Sequence, residues 1–316
     1  MTFRPSLTIA LAVSLVAISK SQADPMIYVV SAGLTGNGVF GTIDLNSGAY
    51  QQVGPGEPDG YFGLASGANG SLVSLTYASN LDSINPTTGI PTQVGATGLP
   101  GCVVPDPSCS PNTAFDLGGY EGKVYMTDYS NNLYVVDPST GSATLISNKT
   151  GVAPFPFVPG TQNADGTYNF VDQALWEGNG NLYETYDAFV FDPTTLSATS
   201  IVVAPELYQI DPLTGQAHAI GSTDLGIGAV TVVNGVSYAL DDLTGQIETI
   251  NLSTGNTAGL SSFDPSAGVI QGAVTATPEP STAALTTAGA IVLLFLGQRR
   301  RRKSQASAAA RAILVT

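Results

Sequence analysis

A pattern of short apolar and polar segments recurs five times along the chain. Each copy has an apolar strand, a turn built on Asp or Asn with Ser/Thr and Gly, and a second short strand. The Asp or Asn side chain can bond the backbone two residues on, and Gly accepts a positive φ, so each copy predicts a tight β-hairpin. The copies are GTIDLNSGAYQQVG, DSINPTTGIPTQVG, YVVDPSTGSATLIS, YQIDPLTGQAHAIG and ETINLSTGNTAGLS, with turn residues Asn46, Asn85, Asp137, Asp211 and Asn251.

Two further strands precede most of these hairpins. The nearer ones read SLVSLTY, KVYMTDY, NLYETY and GVSYALD, and the ones before them, rich in small residues, read YFGLAS, TAFDLG, VDQALW and GIGAVTV. Four strands that recur about every 40 residues are typical of a β-propeller blade. The sequence therefore predicts an all-β fold, a propeller of about five four-stranded blades over residues 24–277. An open β-sandwich is the alternative.

The turns are unevenly spaced, which places insertions at residues 96–112, 148–171 and 187–205. The last contains VFDPTTLSATSIV, which is either an inserted hairpin or a degenerate sixth repeat; its missing Gly favours an insertion and hence five blades. The first repeat begins at MIYVV without an inner strand, and GVIQGAVTA is left over after the last repeat. Pairing of this segment with residues 27–30 would close the ring and leave no open edge.

The first 23 residues have the pattern of a secretory signal peptide. Arg4 precedes an apolar stretch at residues 7–18, and the small-x-small triplet that ends at Ala23 suits signal peptidase. We expect cleavage after Ala23. A short buried helix is the alternative, because the stretch is too short for a permanent anchor.

A second hydrophobic segment lies near the C-terminus. Residues 281–297 carry no charge and are just long enough, at about 1.5 Å per residue, to cross a bilayer as a helix. By the positive-inside rule the basic stop after the helix would stay cytoplasmic, with the preceding domain outside. This basic stop consists of Arg299, Arg300, Arg301, Arg302 and Lys303.

The motif Pro278, Glu279 and Pro280, the hydrophobic helix and the basic stop together resemble the PEP-CTERM sorting signal of exopolysaccharide-producing Gram-negative bacteria. The resemblance covers residues 278–303, and a tail, residues 304–316, continues beyond the usual end. It implies export across the inner membrane, a transient membrane anchor, and an exosortase that removes the helix and delivers the domain to the cell surface or the extracellular matrix. An ordinary single-pass anchor is the alternative.

Charge is distributed very unevenly. All 24 acidic residues lie between Asp24 and Glu279, where Lys123 and Lys149 are the only basic residues, so this region has a formal charge of −22. Phosphate backbones bind through Lys and Arg that displace counterions. The composition therefore excludes nucleic acid as a partner and disfavours anionic lipid.

Few residues offer specific chemistry. Cys102 and Cys109 lie in a Pro-rich insertion, and an exported chain with two cysteines predicts a disulfide between them. His218 is the only histidine, so neither a Ser-His-Asp arrangement nor a usual zinc site is expected, and no cofactor is predicted. Tyrosines recur in the strands and predict blade packing first and glycan stacking second: Tyr125, Tyr134, Tyr183 and Tyr208.

Carboxylates remain as candidate catalytic groups. Five-bladed glycosidases of the arabinanase and fructosidase families use acids on inner strands, and Asp116, Asp172 and Glu177 lie on or next to predicted inner strands. The sequence carries no motif of those families. We therefore expect a non-enzymatic surface or matrix protein whose propeller binds a glycan, such as exopolysaccharide, or another surface protein. A carboxylate-dependent glycoside hydrolase is the alternative.

Overall fold

A computed structural model describes residues 25–32, 38–67, 70–101, 113–149, 151–152, 156–157, 161–195 and 197–276. The chain divides into two units, Met1–Val274 and Thr275–Thr316, and of the second only residues 275 and 276 are described. The signal peptide, the sorting signal with its basic stop, and the two cysteines lie outside the described residues and stay predictions. In the described part, no helix has the length and apolar character needed to span a bilayer.

The described residues form five four-stranded sheets, and these are the five blades of a β-propeller. Blade one consists of β20 (Val269–Thr275), β1 (Met26–Ala32), β2 (Gly38–Asp44) and β3 (Tyr50–Gln52), in that spatial order. Blade two consists of β4 (Tyr61–Ser66), β5 (Leu72–Thr76), β6 (Asn80–Ile84) and β7 (Pro91–Ala96), and blade three of β8 (Ala114–Tyr120), β9 (Lys123–Asp128), β10 (Asn132–Val136) and β11 (Ala143–Asn148). Blade four consists of β12 (Tyr168–Gly178), β13 (Asn181–Asp192), β14 (Ser197–Ile210) and β15 (Ala217–Ser222), and blade five of β16 (Ile227–Val233), β17 (Val236–Asp241), β18 (Gln246–Ile250) and β19 (Thr257–Ser262).

The number of blades follows from the hairpin that lacks the turn Gly. Its residues continue β13 and β14 without a break, so it lengthens the two middle strands of blade four and forms no blade of its own. The prediction of five blades with an inserted hairpin is confirmed, and the sandwich alternative is wrong.

Burial decreases from the inner to the outer strand of each blade. In blade two, all five residues of β5 are buried, three of the five residues of β6 are buried and two are partly exposed, and β7 contains no buried residue. Blade three repeats this gradient from β9 to β11. The apolar inner strands therefore form the core between neighbouring blades, whereas the outer strands face solvent. This agrees with the mixture of buried and partly exposed residues in the third strands and with the polar residues of the fourth.

The ring closes through the two ends of the propeller. Strand β20, the leftover segment of the sequence, lies beside β1 and supplies the inner strand that the first repeat lacks. Its Ile270 is fully buried, and the backbone N–H of Ile270 donates to Oδ1 of Asp242 in blade five, at 2.7 Å. A Cβ atom added at Gly272 would lie 2.3 Å from the backbone N of Leu64, so β20 also approaches blade two at backbone distance.

Each blade carries the predicted turn between its third and fourth strands. In the second repeat, the side chain of Asn85 accepts hydrogen bonds from the N–H groups of Thr87 and Thr88, and the N–H of Gly89 donates to the Asn85 carbonyl. In the first repeat Asp44 performs this role, since its carboxylate accepts from the N–H groups two and three residues on. The prediction of Asn46 as the turn residue is therefore wrong, because the Gly stands four residues after the acceptor in every repeat.

The turn glycines also hold neighbouring blades together. Gly89 has a φ of +64°, and a Cβ atom added there would lie only 1.9 Å from the carbonyl oxygen of Val53 at the end of blade one. The glycine is therefore required for two reasons, the left-handed backbone and the contact with the next blade. Three other turn glycines meet the backbone of an adjacent blade in the same way, Gly48, Gly141 and Gly255, whereas Gly215 meets the side chain of Ser147.

We expect Gly89→Ala to lower stability more than Gly245→Ala. Gly245 has a similar φ of +69° in a similar turn, but nothing lies within 4 Å of a Cβ added there. Left-handed strain alone should cost Gly245→Ala about 1 kcal/mol, whereas the backbone clash should add about 1–3 kcal/mol at Gly89. Denaturant unfolding of the two variants measures the difference, and equal losses would contradict the interblade role of the turn.

Candidate functional site

Blade four projects beyond the other blades. Its strands β12, β13 and β14 have 11, 12 and 14 residues, whereas the strands of blades two, three and five have five to seven. We call residues 168–172, 187–192 and 197–205 the blade-four extension. It is a three-stranded sheet held by regular pairing between β12 and β13 and by irregular, bulged pairing between β13 and β14.

Aromatic side chains lie on one face of the blade-four extension. Tyr168 pairs across the strands with Phe191, and Phe170 pairs with Phe189, so the four share a face by strand alternation. The rings of Phe170 and Phe189 stack at 5.9 Å, and those of Phe170 and Phe191 meet edge to face at 5.2 Å. Phe189 is buried, whereas Tyr168, Phe170 and Phe191 are partly exposed. These four residues form an aromatic row.

Two carboxyl groups continue this row toward the body of the propeller. Asp172 and Asp187 are the next facing pair on the same face, with Cβ atoms about 4.5–5.5 Å apart as expected for directly opposed residues. Both are buried, with 7% and 3% of their surface exposed. Oδ2 of Asp187 accepts from the N–H of Gly226 at 3.0 Å, which joins blade four to blade five.

A third carboxyl group extends the cluster into blade five. Asp242 follows β17, and its backbone N–H donates to the carbonyl of Gly226, so Gly226 bonds both Asp187 and Asp242. Oδ2 of Asp242 and Oδ1 of Asp187 are buried and have no hydrogen-bond partner among the described residues. We call Asp172, Asp187 and Asp242 the carboxyl cluster.

Burial raises the pKa of each carboxyl in the cluster. It raises the pKa of Asp172 from 3.8 to about 7, and the charge of Asp241 adds to the rise. Burial raises the pKa of Asp187 and of Asp242 well above 3.8, and in both cases the neighbouring Asp172 carboxylate contributes next. A protonated carboxyl can donate as well as accept a hydrogen bond.

A second buried group of charges lies between blades three and four. Nζ of Lys149, which follows β11, donates to Oε1 of Glu184 in β13, and both side chains are fully buried. Burial lowers the pKa of Lys149 and raises that of Glu184. The opposite charge of each partner partly cancels the shift that burial causes in the other. Asp116 lies close enough to feel both charges, and burial raises its pKa to about 8. Buried ions of this kind require their partners, so the group is a structural ion pair between blades.

The three predicted candidate acids lie in different surroundings. Asp172 belongs to the carboxyl cluster, whereas Asp116 on β8 belongs to the Lys149 group and accepts from the N–H of Leu117 at 2.7 Å. Glu177 is exposed, and its Oε2 accepts from the N–H of Glu121 at 2.8 Å. It stands five residues beyond Asp172 on the same strand, roughly 17 Å away at about 3.3 Å per residue. The structure therefore does not gather the three at one point.

The remaining candidates are explained by the fold. His218 is exposed on the outer strand β15. The predicted packing tyrosines, Tyr125, Tyr134, Tyr183 and Tyr208, are all buried and so do not offer a stacking surface. In the described ranges, no group of three or more His, Cys, Asp and Glu side chains is arranged to hold a metal ion.

Sequence reasoning missed Asp187, Asp242 and the aromatic row, although the sequence contains a signal for Asp187 and for the aromatic row. Asn179 and Gly180 join β12 to β13 with φ values of +48° and +75°, the two-residue turn that Asn-Gly favours. Counting outward from that turn places Asp172 opposite Asp187 and the phenylalanines opposite each other. Asp242 enters the cluster only through contact between blades, which no local pattern reports.

Comparison with known proteins shows no family. No family model matches the chain, and no curated protein matches it. Among solved structures, a chain from a nidogen/laminin complex is 12% identical, with a TM-score of 0.47, and the match covers 81% of this chain and 99% of that one. The calcium-binding protein regucalcin from Agrobacterium tumefaciens is 14% identical (63% of this chain, 57% of that one, TM-score 0.34), and a glutaminyl cyclase from Myxococcus xanthus is 15% identical (72% and 73%, TM-score 0.32).

The carboxyl cluster predicts that stability decreases as the pH rises. These carboxyls have a higher pKa in the folded than in the unfolded chain, where it is about 3.9. The stability that these carboxyls contribute is therefore fully present below about pH 4, where they are protonated in both states. It is lost as the pH rises through their folded-state pKa values, at 7 and above. Thermal unfolding followed by circular dichroism should show a melting temperature that falls between pH 5 and pH 8.5.

Asp187→Asn should remove the part of this pH dependence that Asp187 contributes. The amide keeps an oxygen for the N–H of Gly226 but cannot ionise, so the variant should gain stability at pH 8.5 and change little at pH 5. Asp137→Asn is the matched control, because Asp137 is exposed and hydrogen bonds to Ser139 lower its pKa. A wild-type melting temperature that rises from pH 5 to pH 8.5 would contradict the assignment.

Proposed function

We propose that this chain is an exported cell-surface or matrix protein, sorted by an exosortase, whose propeller binds a glycan without catalysis. The observation that carries the binding function is the aromatic row beside the carboxyl cluster on one face of the blade-four extension. Ligand sites typically combine apolar or aromatic walls with a few polar groups that fix orientation. A sugar offers an apolar ring face that can stack on the partly exposed rings of Tyr168, Phe170 and Phe191.

Charge narrows the class of glycan. The region between residues 24 and 279 has a formal charge of −22, and of its two lysines Lys149 is buried in an ion pair. In the described part of the chain, Lys123 is thus the only exposed lysine, and there is no arginine. An acidic polysaccharide would be repelled by such a surface. We therefore favour a neutral glycan over one rich in uronate or sulfate.

Export and sorting rest on the two terminal signals. The N-terminal segment has the order expected of a signal peptide, and the Pro-Glu-Pro motif, the apolar segment and the basic stop follow the PEP-CTERM order. A signal of this kind directs transport and gives no information on the ligand. A surface location and an exopolysaccharide ligand are consistent with each other.

The second candidate function is glycoside hydrolysis by Asp172 and Asp187. The observation that favours it is that these two acids face each other and have raised pKa values, as a general acid in such enzymes does. Non-enzymatic binding remains the first candidate, because a sugar can stack on the partly exposed rings without reaching the carboxyls, whereas hydrolysis requires both carboxyls, which are buried.

Affinity electrophoresis of the exported form should distinguish these functions. The intact mass of that form should correspond to a chain from about Asp24 to about Pro280.

A neutral β-glucan in the gel should retard the exported form, whereas alginate should not. The double variant Phe170→Ala with Phe191→Ala should weaken the retardation at least tenfold, because the stacking surface is lost. Tyr120→Ala is the matched control, since Tyr120 is a partly exposed tyrosine that also contacts an aromatic neighbour, Tyr125.

Other outcomes would overturn parts of the proposal. Full-length, membrane-retained chain as the only product would contradict sorting. Absence of retardation across a panel of neutral glycans, or equal retardation of the Phe and Tyr120 variants, would contradict binding at the aromatic row. New reducing ends that disappear in both Asp172→Asn and Asp187→Asn would establish the hydrolase instead.

A further inference from the structure

A short hairpin pairs with the edge of the blade-four extension. Gln162 forms an antiparallel bridge with Tyr168 at the start of β12, and the N–H of Asn169 donates to the carbonyl of Thr161 at 3.0 Å. Strand β13 occupies the other edge of β12. Residues 161 and 162 therefore lie beside β12 and extend the sheet by one strand.

The register places Gln162 on the face of the aromatic row. Directly opposed residues of antiparallel strands point to the same face, and Tyr168 is opposed by Gln162 on one side and by Phe191 on the other. Gln162 is exposed, and both rings are partly exposed. The three residues follow each other on neighbouring strands and span about 10 Å, since strands lie about 4.8 Å apart.

The hairpin is fixed by hydrogen bonds on its opposite face. Nδ2 of Asn163 donates to Oγ1 of Thr167 at 3.0 Å and to Oδ1 of Asn169 at 3.1 Å. Oδ1 of Asp165 accepts from both the N–H and the Oγ1 of Thr167 and so closes the turn. These bonds hold the backbone of Gln162 in place, and among the described residues its own amide has no hydrogen-bond partner. The amide is therefore presented from a fixed position.

Gln162 is the polar group of this face that a ligand can reach. The carboxyl pair on the face is buried. Toward β14, Phe191 is opposed by Ala198, and Phe189 is opposed by Ile201, which is 57% exposed. Among the paired residues that the structure describes in the extension, Gln162 is thus the exposed polar side chain on this face. The face is polar at one edge and apolar at the other, so it can distinguish the two directions of a bound chain.

We propose that the amide of Gln162 orients the bound glycan and determines which neutral sugars are accepted, an inference that rests on the proposed function. The amide oxygen accepts a hydrogen bond and the amide nitrogen donates, so one side chain can bind two neighbouring hydroxyl groups. Stacking on Tyr168 and Phe191 requires only an apolar ring face and is tolerant of the sugar. A hydrogen-bonding group discriminates more strongly, because a sugar with its hydroxyl groups placed differently leaves that group unpaired.

Isothermal titration of the exported form with cellohexaose and with mannohexaose tests the proposal. The two oligosaccharides differ in the direction of one hydroxyl group on each sugar. The wild-type chain should bind them with unequal affinity. Gln162→Ala should bind the preferred oligosaccharide about two- to tenfold more weakly, because one or two hydrogen bonds are lost, and the ratio of the two affinities should approach one.

Gln162→Asn tests whether the amide itself is responsible. This variant keeps the amide on a shorter side chain, so it should retain more of the discrimination than Gln162→Ala. Gln93→Ala is the matched control, since Gln93 is an exposed glutamine on the outer strand β7 of blade two, and it should leave both affinities unchanged. Circular dichroism should give the same melting temperature for all of these variants.

Several outcomes would overturn the role of Gln162. These are equal binding of the two oligosaccharides by the wild-type chain, binding of neither, an unchanged affinity ratio in Gln162→Ala, or an equal loss in Gln93→Ala. Loss of glycan binding in the Phe170→Ala and Phe191→Ala double variant, with Gln162→Ala like the wild type, would overturn this inference and leave the proposed function standing. Absence of retardation across the panel of neutral glycans would overturn both.

Discussion

The fold depends on one constraint, namely that the inner strands of every blade are apolar and must be covered by a neighbouring blade on each side. A single four-stranded sheet of this kind cannot bury both of its faces, and a row of five would leave the two end sheets uncovered. Closing the ring removes these ends. Strand β20 achieves closure by entering blade one beside β1, and its residues Ile270, Ala273 and Val274 are buried there.

The same constraint explains why so many carboxyl groups are buried. Neighbouring blades approach at backbone distance, and acids at these contacts bond the N–H groups of the next blade, as Asp187 does to Gly226 and Asp242 to Ile270. Lys149 is the only basic side chain that the described part of the chain offers to a buried acid, and it bonds Glu184. Burial raises the pKa of the acids in the carboxyl cluster, so protonation lowers the cost of burying them. The pH dependence of folding and the chemistry of the candidate site therefore have one cause.

Most of the fold could be predicted from local sequence patterns. The Asx turn with its Gly recurs because each blade repeats the same hairpin, and the absence of that Gly at residues 190–202 correctly separated an insertion from a blade. The error at Asn46 arose because two acceptors stand near the first turn Gly, and only the four-residue spacing selects Asp44. The propeller and its closure were therefore predictable from sequence periodicity.

The candidate site was less accessible to sequence reasoning. Asp116, Asp172 and Glu177 were chosen for their place on inner strands, but the direction of a side chain depends on register and on the bulges of each strand. The Asn179-Gly180 turn fixes the register that brings Asp172 to Asp187, so this pair was within reach of local analysis. Asp242 and Lys149 join their groups through contacts between blades, which depend on the whole ring.

Truncation of the chain tests most directly whether the closed ring is one cooperative unit. Net stability of a domain is about 5–15 kcal/mol, and loss of a buried inner strand should cost a large part of it. A chain that ends at Ala276 keeps β20 and should melt in one transition like the uncut chain. A chain that ends at Asp264 lacks β20 and should lose most of that transition, whereas equal melting of the two chains would contradict the account.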